Sequence, residues 1–183
     1  MLKNRLELAR HFAELGFKSG AEIGVAEGRY SEILCQNIPG LKLIAVDNWD
    51  SYRTTRRTLT NKMTGEELTG ERLAPYNATI IKKPSLDAVK DIPDESLDFV
   101  FIDADHTYQA VKNDIREWSK KVRKGGIVSG HDYYVFPKSG NRGVIDAVDE
   151  YVKEHGLELL TTAWDDNYKR WDERQPCWYF VKT

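Results

Sequence analysis

The chain has 183 residues, 40% of them hydrophobic and 31% charged, which predicts one globular domain rather than a disordered segment. Its 27 Lys and Arg against 29 Asp and Glu give a net charge of −2, which argues against a general nucleic-acid-binding protein. Its apolar runs are short and its two cysteines lie far apart, so neither a membrane-spanning helix nor a C-x-x-C metal or redox pair is expected. We therefore expect a cytoplasmic protein.

Strand-like and helix-like segments alternate along the chain. Residues 3–15 predict an amphipathic helix that ends at Gly16, and 21–25 predict a first strand. A glycine turn and a helix from Tyr30 follow, and 41–46 predict the second strand. The later strands are predicted at 78–81, 97–102, from 127, at 157–163 and at 177–182, and the later helices at 85–90, 108–122 (ended by Gly125 and Gly126) and 144–156. This order predicts an α/β fold with a doubly wound, mostly parallel seven-stranded sheet and a C-terminal antiparallel hairpin.

One segment interrupts the alternation. Residues 48–76 are polar and contain Arg53, Arg56 and Arg57, and a short helix is predicted at 65–73. A long insertion in a compact domain is typically a lid or a binding loop. We expect one domain over residues 1–183 with a lid-like insertion at about 48–76. The arginines suit a phosphate or carboxylate, or form a solvated face.

The first strand ends in a pattern typical of a nucleoside site. Gly24 and Gly28 form a G-x-x-x-G turn, and Asp47 ends the second strand, where a carboxylate can accept hydrogen bonds from ribose hydroxyls. Glu22 lies inside the apolar first strand and needs a partner, such as a cationic ligand. Taken singly, a glycine turn or a strand-ending acid also occurs as plain structure. The G-x-G-x-x-G of dinucleotide enzymes is absent, which argues against a nicotinamide oxidoreductase.

Two blocks of sequence carry a family resemblance. Residues 21–31 resemble the first motif of class I S-adenosylmethionine-dependent methyltransferases. Residues 97–133, which contain Asp103-Ala104-Asp105-His106 and His131-Asp132-Tyr133, resemble small O-methyltransferases of that class, of the methyltransferase family 24 type. The likeness covers roughly residues 18–160. It implies the Rossmann-like methyltransferase fold and S-adenosylmethionine as cofactor.

The resemblance also implies roles for individual residues. Gly24 and Gly28 would line the methionine part of the cofactor with Glu22 nearby, and Asp47 would hold the ribose. Ser85 would contact adenine, although a helix N-cap explains it equally well. Asp103 would lie beside the transferring methyl group.

Acids and histidines follow the fourth and fifth strands and should converge at one sheet edge. Asp103 with Asp132 resembles the carboxylate pair that holds Mg²⁺ or another divalent cation in catechol-type enzymes, and His131 would be a third ligand or the general base. His106 is either catalytic or an orienting residue at a helix start. The catechol-type pattern has Asp-Asn after the fifth strand; here Tyr133 would take the asparagine position, which leaves metal dependence open.

We expect an S-adenosylmethionine-dependent O-methyltransferase acting on a small-molecule or glycan hydroxyl. The alternative is a non-catalytic module that binds S-adenosylmethionine or S-adenosylhomocysteine. The loop at 164–175 should lie on the cofactor side of the sheet, because it follows a strand parallel to the others. Its aromatic and acidic side chains suit sugars or polycyclic compounds, or pack against the lid: Trp164, Asp165, Asp166, Tyr168 and Trp171. A nucleic-acid acceptor and a membrane partner are not expected, and a homodimer is suggested by analogy alone.

Overall fold

The structure, a computed structural model, describes residues 1–50, 63–167 and 174–183. Arg53, Arg56, Arg57, Tyr168 and Trp171 lie outside these ranges, so the predictions about them stay predictions. The helices of the described part are α1 (Arg5–Glu14), α2 (Arg29–Asn37), α3 (Gly65–Leu73), α4 (Ser85–Ala88), α5 (Tyr108–Trp118) and α6 (Gly143–His155). Its strands are β1 (Ser19–Ile23), β2 (Lys42–Asp47), β3 (Ala78–Lys82), β4 (Leu97–Ile102), β5 (Val122–Gly130), β6 (Leu160–Thr161) and β7 (Trp178–Val181).

The strands form one sheet in the order β3-β2-β1-β4-β5-β7-β6. The neighbours from β3 to β5 pair in parallel, whereas β7 runs antiparallel to both β5 and β6. The predicted mostly parallel sheet and C-terminal hairpin are therefore confirmed. The strand order reverses between β1 and β4, and in sheets of this kind ligands bind at the carboxyl edge of that point.

The central strand β4 divides the hydrophobic core into two layers. Successive side chains of a strand point to opposite faces. Val100 and Ile102 accordingly pack with α5 and α6, in a cluster that includes Ile115, Trp118 and Val148. Phe99 and Phe101 pack on the other face with α1 and α2, in a cluster that includes Phe12, Tyr30 and Leu34. Helices cover both faces, as a doubly wound sheet requires.

The predicted boundary between the fifth helix and the fifth strand is wrong. Gly125 and Gly126 do not end a helix, because α5 ends at Trp118 and a single 3₁₀ turn leads into β5 at Val122. Gly125 has a φ of 74°, and the pairing of β5 with β4 shifts register between Leu97 and Phe99. The two glycines therefore form an irregularity inside the strand. They supply the positive φ and the close backbone approach that a bulge requires.

Other differences concern the lengths of strands. β1 begins at Ser19, earlier than predicted, because the Asp98 carboxylate accepts hydrogen bonds from the backbone N–H groups of Lys18 (2.7 Å) and Ser19 (2.9 Å). β6 is reduced to Leu160–Thr161 of the predicted 157–163. Within the described ranges, no helix has the length and apolar character needed to cross a membrane.

The second half of the insertion forms the predicted helix α3 over residues 65–73. Thr64 and Glu67 form a capping box at its start. The Thr69 hydroxyl donates to the Ala26 carbonyl (3.2 Å), and Arg72 pairs with Glu32 of α2 (2.8 Å). This part of the insertion thus packs against the glycine turn that follows β1.

We expect Gly20→Ala to lower the free energy of unfolding by about 1–3 kcal/mol, because overpacking a tight core costs that much. A Cβ at this position would lie 2.2 Å from the ring of the fully buried Phe99. The control is Gly70→Ala in α3, where a Cβ meets nothing within 4 Å. It should stabilise the protein by about 0.5–1 kcal/mol. Urea unfolding measures both, and equal effects would contradict the packing argument.

Candidate functional site

The residues that follow β1, β2, β4 and β5 meet at the carboxyl edge of the sheet. Gly24 follows β1, and its backbone N–H donates to the Val46 carbonyl of β2 (2.9 Å). The Asp103 N–H, just past β4, donates to the Ile23 carbonyl (2.7 Å), and the His131 N–H, just past β5, donates to the Ile102 carbonyl (3.1 Å). These bonds hold the ends of four strands in one row, and the predicted site residues are arranged along it.

Two glycines shape the turn between β1 and α2. Gly24 has a φ of 88°, and a Cβ there would lie 2.1 Å from the Asp103 carbonyl oxygen. Gly28 has a φ of 73° at the N-cap of α2, and a Cβ there would lie 3.1 Å from Thr69 of α3. Both positions combine a left-handed backbone with a close neighbour, so a side chain fits at neither without strain. The predicted close backbone approach is therefore present at the first strand.

Asp47 is tied to this turn by hydrogen bonds. Its Oδ2 accepts from the N–H groups of Val25 and Ala26, both at 2.9 Å, and its Oδ1 accepts from Trp49 N–H at 2.8 Å. A carboxylate has about four acceptor positions, and three are used here. The predicted contact with ribose stays a prediction, and Oδ1 is the oxygen with capacity left for a hydroxyl.

Glu22 has a partner within the protein. Its side chain is 2% exposed, and the fully buried Ser31 hydroxyl donates to its carboxyl group. Burial raises the pKa of Glu22 to about 8, although the hydrogen bond from Ser31 works in the opposite direction. A ligand cation is thus not needed to account for this acid. Ser31 lies one turn into α2, on the helix that the glycine turn directs back over β1.

Ser85 is held by two side chains of α5. Its hydroxyl donates to Oδ1 of Asp114 (2.5 Å) and accepts from Nε1 of Trp118 (2.8 Å). The N-cap of α4 is Pro84, so the alternative explanation of Ser85 as an N-cap is wrong. Asp114 is 4% exposed, and burial raises its pKa to about 6, with a further contribution from the charge of Asp105. Sequence reasoning missed Asp114, whose position on the buried face of α5 was its only signal.

Asp103, His131 and Asp132 form a compact cluster. One potential ligand atom from each lies within 4.8 Å of the others. His131 Nδ1 is 3.3 Å from Oδ1 of Asp132 and 3.8 Å from Oδ1 of Asp103. Burial alone would raise the pKa of Asp132, but the bond from His131 and the nearby His106 keep it below the usual value. The structure thus brings together the residues predicted to follow β4 and β5.

His106 joins this cluster from the start of α5. Its Nε2 is 3.1 Å from Oδ2 of Asp132 and 3.4 Å from Oδ1 of Asp103. Burial lowers the pKa of His106, but the Asp103 and Asp132 carboxylates outweigh it and raise the pKa to about 8. Its side chain is 33% exposed, against 4% for His131. His106 is therefore the more exposed imidazole of this cluster, although its Nε2 atom is itself buried.

The backbone decides which residues after β5 face the cluster. Asp132 has a φ of 58°, an uncommon value for a residue other than glycine, of the kind found at functional sites. Tyr133 turns away, and its hydroxyl donates to Asp149 of α6 (2.6 Å). The structure therefore places the Tyr133 side chain outside the cluster. His131 and Asp132 occupy the two positions that face Asp103.

We expect the buried Glu22 to make stability depend on pH. Its folded pKa of about 8 exceeds its ordinary value, so the protonated acid stabilises the fold, and this stabilisation is lost as the pH rises from about 5 through 8. The free energy of unfolding should fall by up to about 1.4 kcal/mol per pH unit in that window. Glu22→Gln should flatten the slope.

Urea titrations at several pH values measure this slope. Glu71→Gln, which removes an exposed carboxylate from α3, is the matched control and should leave it unchanged. Parallel slopes for the wild type and Glu22→Gln would contradict the assignment.

Comparison with known proteins agrees with this geometry. The chain matches the family described as a methyltransferase domain over residues 21–133. A curated relative, the uncharacterized protein R132 of Acanthamoeba polyphaga mimivirus, is 29% identical over 137 residues, which are 73% of this chain and 58% of that protein. The chain thus spans less than two thirds of that relative's length.

Solved structures share the fold at low identity. The O-methyltransferase from Bacillus cereus in complex with SAH superposes with a TM-score of 0.69 at 16% identity, covering 97% of this chain and 80% of that one. TomG, an O-methyltransferase from Streptomyces achromogenes involved in tomaymycin synthesis, in complex with SAM, gives 0.67 at 17% identity, covering 98% and 80%. Cofactor-bound Rv0187 from MTB gives 0.71 at 16% identity, covering 97% and 79%. Because the family match spans more than half of the chain and the fold agrees with it, the protein belongs to the methyltransferase family.

Proposed function

We propose that the protein transfers the methyl group of S-adenosylmethionine to a hydroxyl oxygen of a small molecule or glycan. The observation that carries this proposal is the contact between the glycine turn and the acid–histidine cluster, which consists of Asp103, His106, His131 and Asp132. The Asp103 carbonyl packs against Gly24, while the Asp103 side chain belongs to the cluster with His131 and Asp132. A cofactor at the turn and an acceptor at the cluster would therefore be neighbours.

In this proposal the cofactor lies across the ends of β1, β2 and β4. Gly24 and Gly28 admit its methionine part, and Asp47 Oδ1 accepts a hydrogen bond from a ribose hydroxyl. Ser85, which follows β3, lies beside the adenine. Glu22, protonated and bonded to Ser31, shapes the floor beneath the turn. The SAH and SAM complexes of the proteins with the same fold support this choice of cofactor.

The transfer requires an aligned oxygen and an acceptor for its proton. The acceptor oxygen attacks the methyl carbon, the carbon–sulfur bond breaks, and S-adenosylhomocysteine leaves with the bonding electrons. His106 is the proposed base, because its side chain is the more exposed of the two imidazoles and its buried Nε2 lies 3.1 Å from Asp132 and 3.4 Å from Asp103. Asp103 and Asp132 orient the ring and stabilise the imidazolium that forms. His131, which is 4% exposed, positions Asp132.

We also propose that the same cluster holds a divalent cation. Two carboxylates and an imidazole are a suitable donor set, and water would complete the coordination. Asp103, His131 and Asp132 would hold the ion, which would lower the pKa of the acceptor hydroxyl.

We expect the protein to bind S-adenosylmethionine and Gly24→Ala to weaken binding at least 100-fold, since the added Cβ would collide with the Asp103 carbonyl. Gly40→Ala is the matched control, because Gly40 also has a positive φ of 74° but a Cβ there meets nothing within 4 Å. Isothermal titration measures both. No binding by the wild type at millimolar cofactor would overturn the proposed function. Binding without turnover on a panel of phenols and glycans would favour the non-catalytic module.

We expect one Mn²⁺ ion per chain to bind the wild type, and Asp132→Asn to weaken it at least tenfold, because a neutral amide replaces a charged ligand. Electron paramagnetic resonance of free Mn²⁺ gives the bound fraction without an activity assay. Asp149→Asn is the control, since this carboxylate bonds to Tyr133 on the far side of the backbone. Equal binding by all three proteins, or turnover unchanged after exhaustive chelation, would contradict metal assistance.

A further inference from the structure

Three aromatic side chains form a continuous surface beside the acid–histidine cluster. Tyr134 and Phe136 come from the segment after β5, and their ring centroids lie 4.5 Å apart. Trp164, from the segment after β6, meets Tyr134 edge-on at 5.8 Å. We name Tyr134, Phe136 and Trp164 the aromatic wall. Two separate loops thus contribute rings to one surface.

The aromatic wall is continuous with the proposed catalytic residues. Phe136 stacks on the His106 ring at 5.7 Å with 29° between the planes. His106 in turn lies 3.1 Å from Asp132. At the other end of the wall, Trp164 is 38% exposed. A molecule lying against these rings would therefore reach from solvent to the reacting oxygen position.

The charges near the wall restrict what it can hold. Asp103, Asp105 and Asp132 lie at its inner end, and Asp165 and Asp166 directly follow Trp164 at its outer end. Asp166 accepts a hydrogen bond from Trp164 Nε1 at 2.8 Å. Asp166 also lies 3.9 Å from the Arg174 guanidinium, so the carboxylates that disfavour a phosphate or carboxylate group are those at the inner end. Flat aromatic faces attract the apolar face of a ring that carries its polar groups on its edge.

We propose that the aromatic wall is the subsite for an uncharged ring of the acceptor, with the hydroxyl to be methylated on the edge that faces Asp103 and Asp132. Phenols and pyranose sugars both offer such a ring, with an apolar face and hydroxyl groups on its edge. This inference rests on the proposed function, because it assigns the wall to the acceptor of that reaction. Phe136 and Trp164 then determine specificity by contact with the acceptor ring rather than by taking part in proton transfer.

The test is a binding titration of the full chain saturated with S-adenosylhomocysteine. The probes are 4-methylcatechol for the phenolic ring, methyl β-D-glucopyranoside for the sugar ring, and 3,4-dihydroxybenzoate as the anionic counterpart of the catechol. Each is titrated by saturation-transfer NMR into the wild type, Phe136→Ala, Trp164→Ala and Trp164→Phe. Tyr108→Ala is the matched control, because Tyr108 is also 38% exposed but its hydroxyl bonds to Glu150.

We expect one neutral ring probe to bind the wild type and to lose at least tenfold in affinity in Phe136→Ala and Trp164→Ala. Trp164→Phe should keep affinity within about threefold, and Tyr108→Ala should match the wild type. The Kd of S-adenosylhomocysteine should stay within twofold in every variant, which also verifies that each variant folds. The probe that binds identifies the ring as phenolic or sugar.

Three results would overturn the inference. The first is that neither neutral ring probe binds the wild type. The second is equal affinity in the wall variants and the wild type, and the third is tighter binding of the benzoate than of the catechol. These outcomes are distinct from failure of the proposed function, which is measured by the titration of the cofactor into the wild type. A wild type that does not bind S-adenosylhomocysteine would refute the cofactor assignment whatever the ring probes do.

Discussion

The close approach of the β1 turn to the end of β4 is the constraint on which this site depends. A residue with a Cβ at position 24 would put that atom 2.1 Å from the Asp103 carbonyl oxygen. Only glycine accepts both this distance and a φ of 88°. The approach also fixes where the Asp103 side chain emerges, beside the turn rather than beyond it. The glycine turn and the acid–histidine cluster are therefore parts of one packed arrangement.

Buried acids surround this arrangement, and each is stabilised in a different way. Glu22 is bonded to a serine and has a pKa of about 8, so it is largely neutral at pH 7. Asp114 has a pKa of about 6 and holds Ser85. Asp132 keeps its charge because two imidazoles face it. Neutralising Glu22 limits the repulsion that several carboxylates at one sheet edge would otherwise cause, and charge is kept where a proton or cation would bind.

The two sides of the site are built differently. The turn after β1 is held by backbone hydrogen bonds and by Asp47, and α3 packs over it through Thr69. The side that faces the proposed acceptor is built from loops after β5 and β6, where Tyr134, Phe136 and Trp164 meet through ring contacts. Loops on a rigid sheet can change their side chains without altering the strand ends.

The sequence by itself determined the strand and helix order, the parallel sheet, the glycine turn and the set of acids and histidines after β4 and β5, because these depend on local periodicity and on where strands end. It did not determine the Gly125–Gly126 bulge, since helix-ending and strand-bulging glycines look alike until the neighbouring strand is in place. The partners Ser31 and Asp114, the outward turn of Tyr133 and the aromatic wall were decided only by the tertiary structure. Each depends on how separate elements pack against one another, and no local pattern encodes such packing.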